Sequence, residues 1–224
     1  MSRSANDTGA RRVVHPLLVL AMLAVLFLLF ANILTSGFEK LGLSHSAVLV
    51  VLFASIGGSV INIPVRQRTL GGSPDYMTFG GMVFYRPPRI AHQVIAINVG
   101  GALVPFALSL WLLWRAPLIQ TGVATVCIVI LTHRLAHIEP GSGIVMPTLI
   151  PPLAALILAL ALAGGRSPDT VAIAYVSGSM GSLIGADLMN LPRLSQVGPG
   201  VLSIGGAGVF DGVFLVGIIA ALLA

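Results

Sequence analysis

The sequence predicts an all-α, polytopic bundle of about seven transmembrane helices. Three observations carry that expectation: a composition too apolar for a soluble globule, apolar windows of spanning length along the chain, and a one-sided distribution of arginine and lysine. Apolar residues make up 56% of the 224 positions and charged residues 8%, with a mean hydropathy of +1.00. A soluble domain carries roughly a quarter charged residues, so this chain cannot cover itself with polar surface and its solvent must be lipid. The net charge of +5 and the isoelectric point near 10.4 would suggest nucleic acid as a partner of a soluble protein. Here the basic residues are scattered over short loops with no cationic patch or aromatic platform, which argues against nucleic acid. Cys127 is the single cysteine, which excludes an intramolecular disulfide and a cysteine-based metal site.

Windows of about twenty residues give spans at roughly 14–35, 44–64, 92–114, 118–133, 143–164, 170–190 and 200–224. A cytoplasmic tail, 1–13, precedes a single transmembrane domain, 14–224. The fourth span is the weakest, being short and holding Thr121, Gly122, Thr125 and His133. The first exceeds a signal-peptide core and no A-x-A site follows it, so it reads as a retained helix. With the N-terminus inside, the cytoplasmic segments carry nine of the basic residues and the outer loops only Lys40, Arg115 and Arg166. That bias predicts an inner-membrane protein with N-in, C-out topology. The one long loop, about 65–91, reads as irregular, punctuated by GGSP and RPP.

Asp187 and Asp211 are the most informative residues. They lie 24 positions apart on consecutive expected spans, in SLIGADLMNL and SIGGAGVFDGVFLVGI. A carboxylate in hydrocarbon costs several kcal/mol unless protonated, paired or hydrated, so each is a functional-site hypothesis. The alternative for either is a neutral acid bonded to a neighbouring helix, or for Asp187 an interfacial pair with Arg193.

Self-comparison adds an internal repeat. SIGGSVINIPV (55–65) matches LIGADLMNLPR (183–193), and Asn98-Val99-Gly100-Gly101-Ala102 matches Ser203-Ile204-Gly205-Gly206-Ala207. The offset of four spans implies a parallel 3+1+3 arrangement: repeat one at about 14–114, a linker span at 118–133, and repeat two at about 143–224. Sites of repeat-built transporters lie where the repeats meet. Ser59 stands opposite Asp187 in this alignment, and Phe106 opposite Asp211.

The strings HIEPGSGIVMPTLIPP, AYVSGSMGSLIGADLMNL and SIGGAGVFDGVFLVGI resemble the uncharacterised membrane-protein family known as domain of unknown function 1614, from the second span to the C-terminus. A weaker resemblance is to the GxGD intramembrane aspartyl proteases, the presenilin, signal-peptide-peptidase and prepilin-peptidase group. That resemblance implies a catalytic dyad of Asp187 and Asp211. The chain departs from it in three places: Ala186 rather than tyrosine precedes the first aspartate, Val209-Phe210 separates Gly-Ala-Gly from the second, and Pro147-Thr148-Leu149 is the only trace of a Pro-Ala-Leu motif.

Dyad chemistry needs the two carboxyls close enough to share a proton. A last span beginning at Gly200 would carry Asp211 roughly 16 Å up its helix, too far from Asp187. The stretch GPGVLSIGGAG holds five glycines and a proline, all poor in a helix. If it is re-entrant, the span begins near Val209 and the aspartates meet at one depth. Non-helical backbone there requires protein or water around it.

Further candidates surround this pair. His133 and His137, four apart, would share a helical face and with Glu139 form a weak metal candidate; no metal and no cofactor is expected. Pro147, Pro151 and Pro152 should kink or break the fifth span, which in transporters points to a binding site. Ser177, Gly181 and Gly185 form a small-residue face that presses span six on a neighbour. Asn62, Asn98 and Asn190 offer amides for hydrogen bonds across the repeats; Asn98 and Asn190, with Pro151, Pro152, Gly206 and Gly208, are the expected substrate-binding or gating positions. Two functions follow: an intramembrane aspartyl protease, or a small proton-coupled carrier with Asp211 as its protonatable group. The expected partners are the bilayer and a membrane-embedded or small-molecule substrate; the sequence leaves oligomeric state open, a homo-oligomer included.

Overall fold

The computed structural model describes residues 35–70, 75–79, 82–86, 91–139, 143–147 and 149–206, with isolated helical positions at 21, 25, 32 and 219. Nearly all of the expected first span, together with Gly208, Asp211 and the last span beyond Gly206, lies outside the described residues.

The helices are α1 (His45–Ser59), α2 (Val104–Leu113), α3 (Leu118–Leu135), α4 (Ile150–Ala163) and α5 (Pro168–Ser182). A π-helical turn, Val99–Leu103, leads into α2; a second, Leu183–Asp187, extends α5 and passes into a 3-10 run, Leu188–Gln196. Among the described residues two helical stretches are long and apolar enough to cross a membrane, Leu118–Leu135 and Pro168–Arg193. Three shorter apolar ones accompany them, His45–Ser59, Val99–Leu113 and Ile150–Ala163. The stretch expected to be the weakest span is thus one of the two longest helical stretches among the described residues.

The fold is mainly helical but not all-α. The strands β1 (Asn62–Leu70), β4 (Ala91–Asn98) and β7 (Gly200–Ile204) form one sheet in the order β1-β4-β7. β1 runs antiparallel to β4 with a bulge between Pro64 and Arg66, and β7 runs parallel to β4. Two hairpins complete the set: β2 (Asp75–Phe79) with β3 (Met82–Arg86), and β5 (His137–Glu139) with β6 (Gly143–Val145).

These strands correct several expectations. The 65–91 stretch is not irregular: it contains most of β1, the β2–β3 hairpin and the start of β4. The 92–114 stretch begins as a strand and becomes helical only at Val99. The 143–164 stretch likewise opens as β6 and turns helical at Ile150. Pro151 and Pro152 do not kink that helix. They occupy its first turn, where the missing N–H costs nothing and φ is already helical.

α5 is the hub. It packs on α2, α3 and α4, and its side chains from Thr170 to Ser179 are buried throughout. Its start is fixed by a capping box in which Ser167 and Thr170 bond each other's backbone N–H. Its small face meets α3, as the spacing of Gly181 and Gly185 predicts. A Cβ at Gly181 would strike Ile128, and one at Gly185 would strike Val129 and Thr132. Thr132 Oγ1 donates 3.0 Å to the Gly181 carbonyl across this contact. The outer helices present apolar side chains outward: Phe53 on α1 is 71% exposed and Ile119 on α3 81% exposed. The polar groups Thr132, Ser177 and Ser182 lie fully inside. That inversion suits a lipid solvent.

Gly185→Ala should therefore destabilise the fold by about 1–3 kcal/mol, because α3 must move away. Gly122, on the same α3, has open space at its Cβ position, and Gly122→Ala should hold or raise the midpoint. Thermal unfolding in detergent checks both; equal midpoints would contradict the α3–α5 contact.

Candidate functional site

The site forms where the end of α5 meets the end of β7. An ordinary α-helix bonds each N–H to the carbonyl four residues back; the Leu183–Asp187 turn widens this to five and leaves carbonyls short of partners. Asn190 supplies them: its Nδ2 donates 2.8 Å to the Ala186 carbonyl and 3.2 Å to that of Gly185. Asp187, the last residue of the turn, is partly buried, and its Oδ2 accepts the Gly205 backbone N–H at 2.7 Å. No other hydrogen bond reaches this carboxyl among the described residues, so its second oxygen is available to a water, a proton or a substrate.

Gly205 cannot be another residue. Its φ is +82° and that of Gly206 is +85°, in the left-handed region that favours glycine. A Cβ at Gly205 would also lie 2.6 Å from both the N and Cβ of Ala102. The stretch 197–206 is non-helical, held as β7 and the turn after it. Gln93 Nε2 secures its start, donating 2.8 Å to the Gly198 carbonyl.

Asn98 organises the other side. Its Oδ1 accepts the Gly101 N–H at 2.7 Å, capping the π turn before α2. Its Nδ2 donates 2.7 Å to the Ser59 carbonyl and 3.2 Å to Asn62 Oδ1. Asn62 Oδ1 also accepts from Ser203 Oγ at 2.6 Å, tying β1 to β7 two residues before Gly205. Gly100 sits against Ser55, Gly58 and Ser59 and brings α1 onto the same corner.

A recess of about 280 Å³ lies beside this corner, lined by Val65, Arg66, Arg68, Ile95, Leu191, Pro192 and Ile204. The bulge in β1 explains its chemistry. An extra residue in one strand lets consecutive side chains face one way, so Val65, Arg66 and Arg68 all turn towards the recess. Among the described residues neither arginine has an acidic partner. The recess thus combines apolar side chains with two cationic ones, and Ile204 connects it to Gly205.

The other expected residues separate. Asn98 and Asn190 are both buried at this corner, and Gly206 follows Gly205. Asn190 bonds carbonyls of its own helix rather than crossing to the other half, and Arg193 turns to Asn190 Oδ1 at 3.5 Å rather than to Asp187. Pro151 and Pro152 are buried at the start of α4. His133 and His137 do not share a helical face, because α3 ends at Leu135 and Ala136 turns extended. His137 lies on β5, exposed and 3.6 Å from Glu139, and no metal-binding cluster of three or more such groups occurs among the described residues. Asn62, expected to bond across the repeats, does so through Ser203; sequence reasoning missed Gly205 and Ser203 as members of the site, and took Arg66 and Arg68 as topology signals only. The doubled Gly-Gly after the short apolar run GVLSI was the available signal for Gly205.

Asp187→Asn keeps an oxygen for the Gly205 N–H and should cost under about 1 kcal/mol, whereas Asp187→Leu strands a buried N–H at about 1–3 kcal/mol. Unfolding midpoints should fall in the order wild type, Asn, Leu; a leucine variant as stable as wild type would show that the bond does not hold this corner.

Comparison with known proteins adds one finding. The family model described as "Protein of unknown function (DUF1614)" matches residues 56–223. Comparisons with curated proteins and with solved structures gave no match. The match takes in the sheet, α2 to α5 and the Asp187–Gly205 corner, and the chain belongs to this family of uncharacterised proteins.

Proposed function

We propose that this protein is a multi-pass inner-membrane aspartyl hydrolase in which Asp187 and Asp211 form the catalytic pair. The observation that carries the reading is the non-helical 197–206 segment, whose Gly205 N–H bonds Asp187. That bond keeps the chain at Gly205 on the level of Asp187, where a helix begun at Gly200 would already have left it. Asp211 follows Gly205 by six residues. A last span beginning near Val209 would need only about 3 Å of rise to reach it, against roughly 16 Å for a helix begun at Gly200. The seven-span, N-in arrangement belongs to this proposal and draws on the arginine bias.

The chemistry is that of two carboxyls sharing one proton. The ionised member takes a proton from a water held between them, and the protonated member bonds the oxygen of the scissile carbonyl. Water oxygen adds to the carbonyl carbon, and the proton then passes to the leaving nitrogen as the C–N bond breaks. The Gly205 N–H fixes one oxygen of Asp187, which orients the other. The recess that Arg66 and Arg68 help to line suits the part of a membrane-embedded substrate that emerges among anionic groups.

A proton-coupled carrier is the second reading, favoured by one correspondence. The repeat alignment pairs Ser59 with Asp187 and Gly100 with Gly205. Gly100 packs on Ser59, as Gly205 bonds Asp187, so the aligned positions meet in both halves. A parallel repeat accounts for this, and its interface would then be the carrier site.

Asp187→Asn and Asp211→Asn chains in native membranes separate the readings. The hydrolase predicts that each variant lowers release of peptide fragments from membrane substrates by about 10³-fold or more, read by quantitative mass spectrometry. Retained fragment release in Asp187→Asn with function lost only in Asp211→Asn would overturn the dyad and favour the carrier.

A further inference from the structure

Arg66 and Arg68 put two positive charges into the recess beside the Asp187–Gly205 corner. Two residues apart on one strand, they face the same way, with Cα atoms about 7 Å apart. Neither forms an ion pair among the described residues, where each acid has another place. Glu39 pairs with His45 and Glu139 with His137, and Asp187 accepts from Gly205. Asp169 sits in the first turn of α5, and Asp75 stands opposite Arg86 in the β2–β3 register. Two like charges held side by side repel, and an anion between them turns that repulsion into attraction.

The surroundings narrow the choice of anion. Arg66 stands opposite Ile95 in the β1–β4 ladder, so the two share a face, and Ile95 and Ile204 are buried. Leu191 and Pro192 complete the lining from the 3-10 run. A 3-10 helix turns once in three residues, which stacks Leu188 on Leu191. Leu188 is 41% exposed and Val65 60% exposed, so the apolar lining continues from the recess onto the outer surface. A small inorganic anion makes no use of that lining. A phospholipid has both parts: a phosphodiester whose two free oxygens can each meet one guanidinium fork, and glycerol and acyl carbons for the apolar side chains. Pockets that enclose a whole drug-sized ligand start near about 300 Å³. A recess of about 280 Å³ takes a head group and leaves the acyl chains outside.

We propose that this recess binds the head group of an anionic phospholipid, its phosphate between Arg66 and Arg68 and its acyl chains leaving past Val65 and Leu188. A zwitterionic head group fits less well, because its ammonium brings a third positive charge to the pair. Basic recesses at the cytoplasmic side of helical bundles hold such head groups, and the proposed N-in arrangement puts β1 on that side. Binding rests on the membrane reading of the chain and not on the hydrolase. A substrate segment entering the same recess would displace the lipid.

Lipid retention tests the site without an activity assay. The full chain is reconstituted with equal amounts of phosphatidylglycerol and phosphatidylcholine, and the lipid left on it after detergent release is counted by native mass spectrometry. Wild type should keep phosphatidylglycerol over phosphatidylcholine by at least about tenfold. Joint Arg66→Gln and Arg68→Gln should abolish that preference. Arg134→Gln should keep it, since Arg134 is exposed at the end of α3 and does not line the recess. No preference in wild type, or one that survives the double variant or falls equally in Arg134→Gln, would overturn the site. Millimolar inorganic phosphate should leave the lipid bound; displacement would show a site for phosphate alone and overturn the lipid. The unsubstituted chain guards against a misfolded double variant. Phosphatidylglycerol with a photoreactive diazirine near the start of one acyl chain should form adducts on β1 or on the 3-10 run. Adducts confined to the outward faces of α1 and α3 would count against the site. Selective retention together with absent peptide hydrolysis would remove the proposed enzyme and leave the lipid site standing.

Discussion

One hydrogen bond, from the Gly205 N–H to Asp187 Oδ2, joins the two parts of this molecule that define its site. On one side lies α5, the buried helix around which the others pack; on the other lies β7, which reaches the corner only because it pairs in parallel with β4. The bond needs a glycine with positive φ, pressed on Ala102, and a π turn that swings Asp187 round. Each condition is costly alone: a left-handed turn, a widened helix, a carboxyl inside an apolar protein. Together they satisfy each other, since Asn190 takes the loosened carbonyls and Gly205 takes one oxygen of the acid.

The surrounding architecture fits the lipid solvent proposed for it. Apolar side chains of α1 and α3 face outward, while serines, threonines and asparagines are gathered inside. An irregular backbone in such a setting must have its N–H and C=O groups met by protein. The β1-β4-β7 sheet does this for the non-helical segment, and Asn62, Gln93 and Asn98 close the remaining gaps with side-chain bonds. The sheet is therefore what allows a glycine-rich segment to approach an aspartate within an otherwise helical bundle.

Parts of this were legible in the sequence. Asp187 stood out because a lone carboxylate in an apolar run needs a reason. The Ser177, Gly181 and Gly185 spacing predicted a close helix contact, which α3 supplies. The glycines and proline of 198–208 argued against a helix there. The strands were not legible, because hydropathy windows score AHQVIAIN and GVLSI like helix and short apolar runs carry no decisive period. The histidine pair misled for a related reason: spacing of four means one face only if the helix continues, and it stops at Leu135. The arginines of β1 gained a site meaning only from a bulge that sequence does not display. Asp211 is read from sequence alone, since it lies beyond the described residues.

The central claim is that Asp187 and Asp211 stand side by side, and disulfide closure tests it most directly. Asp187→Cys and Asp211→Cys are combined with Cys127→Ala, and the protein is oxidised in its native membrane. A disulfide needs Cα atoms within about 7 Å. The account predicts efficient intramolecular closure, seen as a reducible shift in mobility. Two thiols that each react with a small alkylating reagent yet never close under strong oxidation would contradict it.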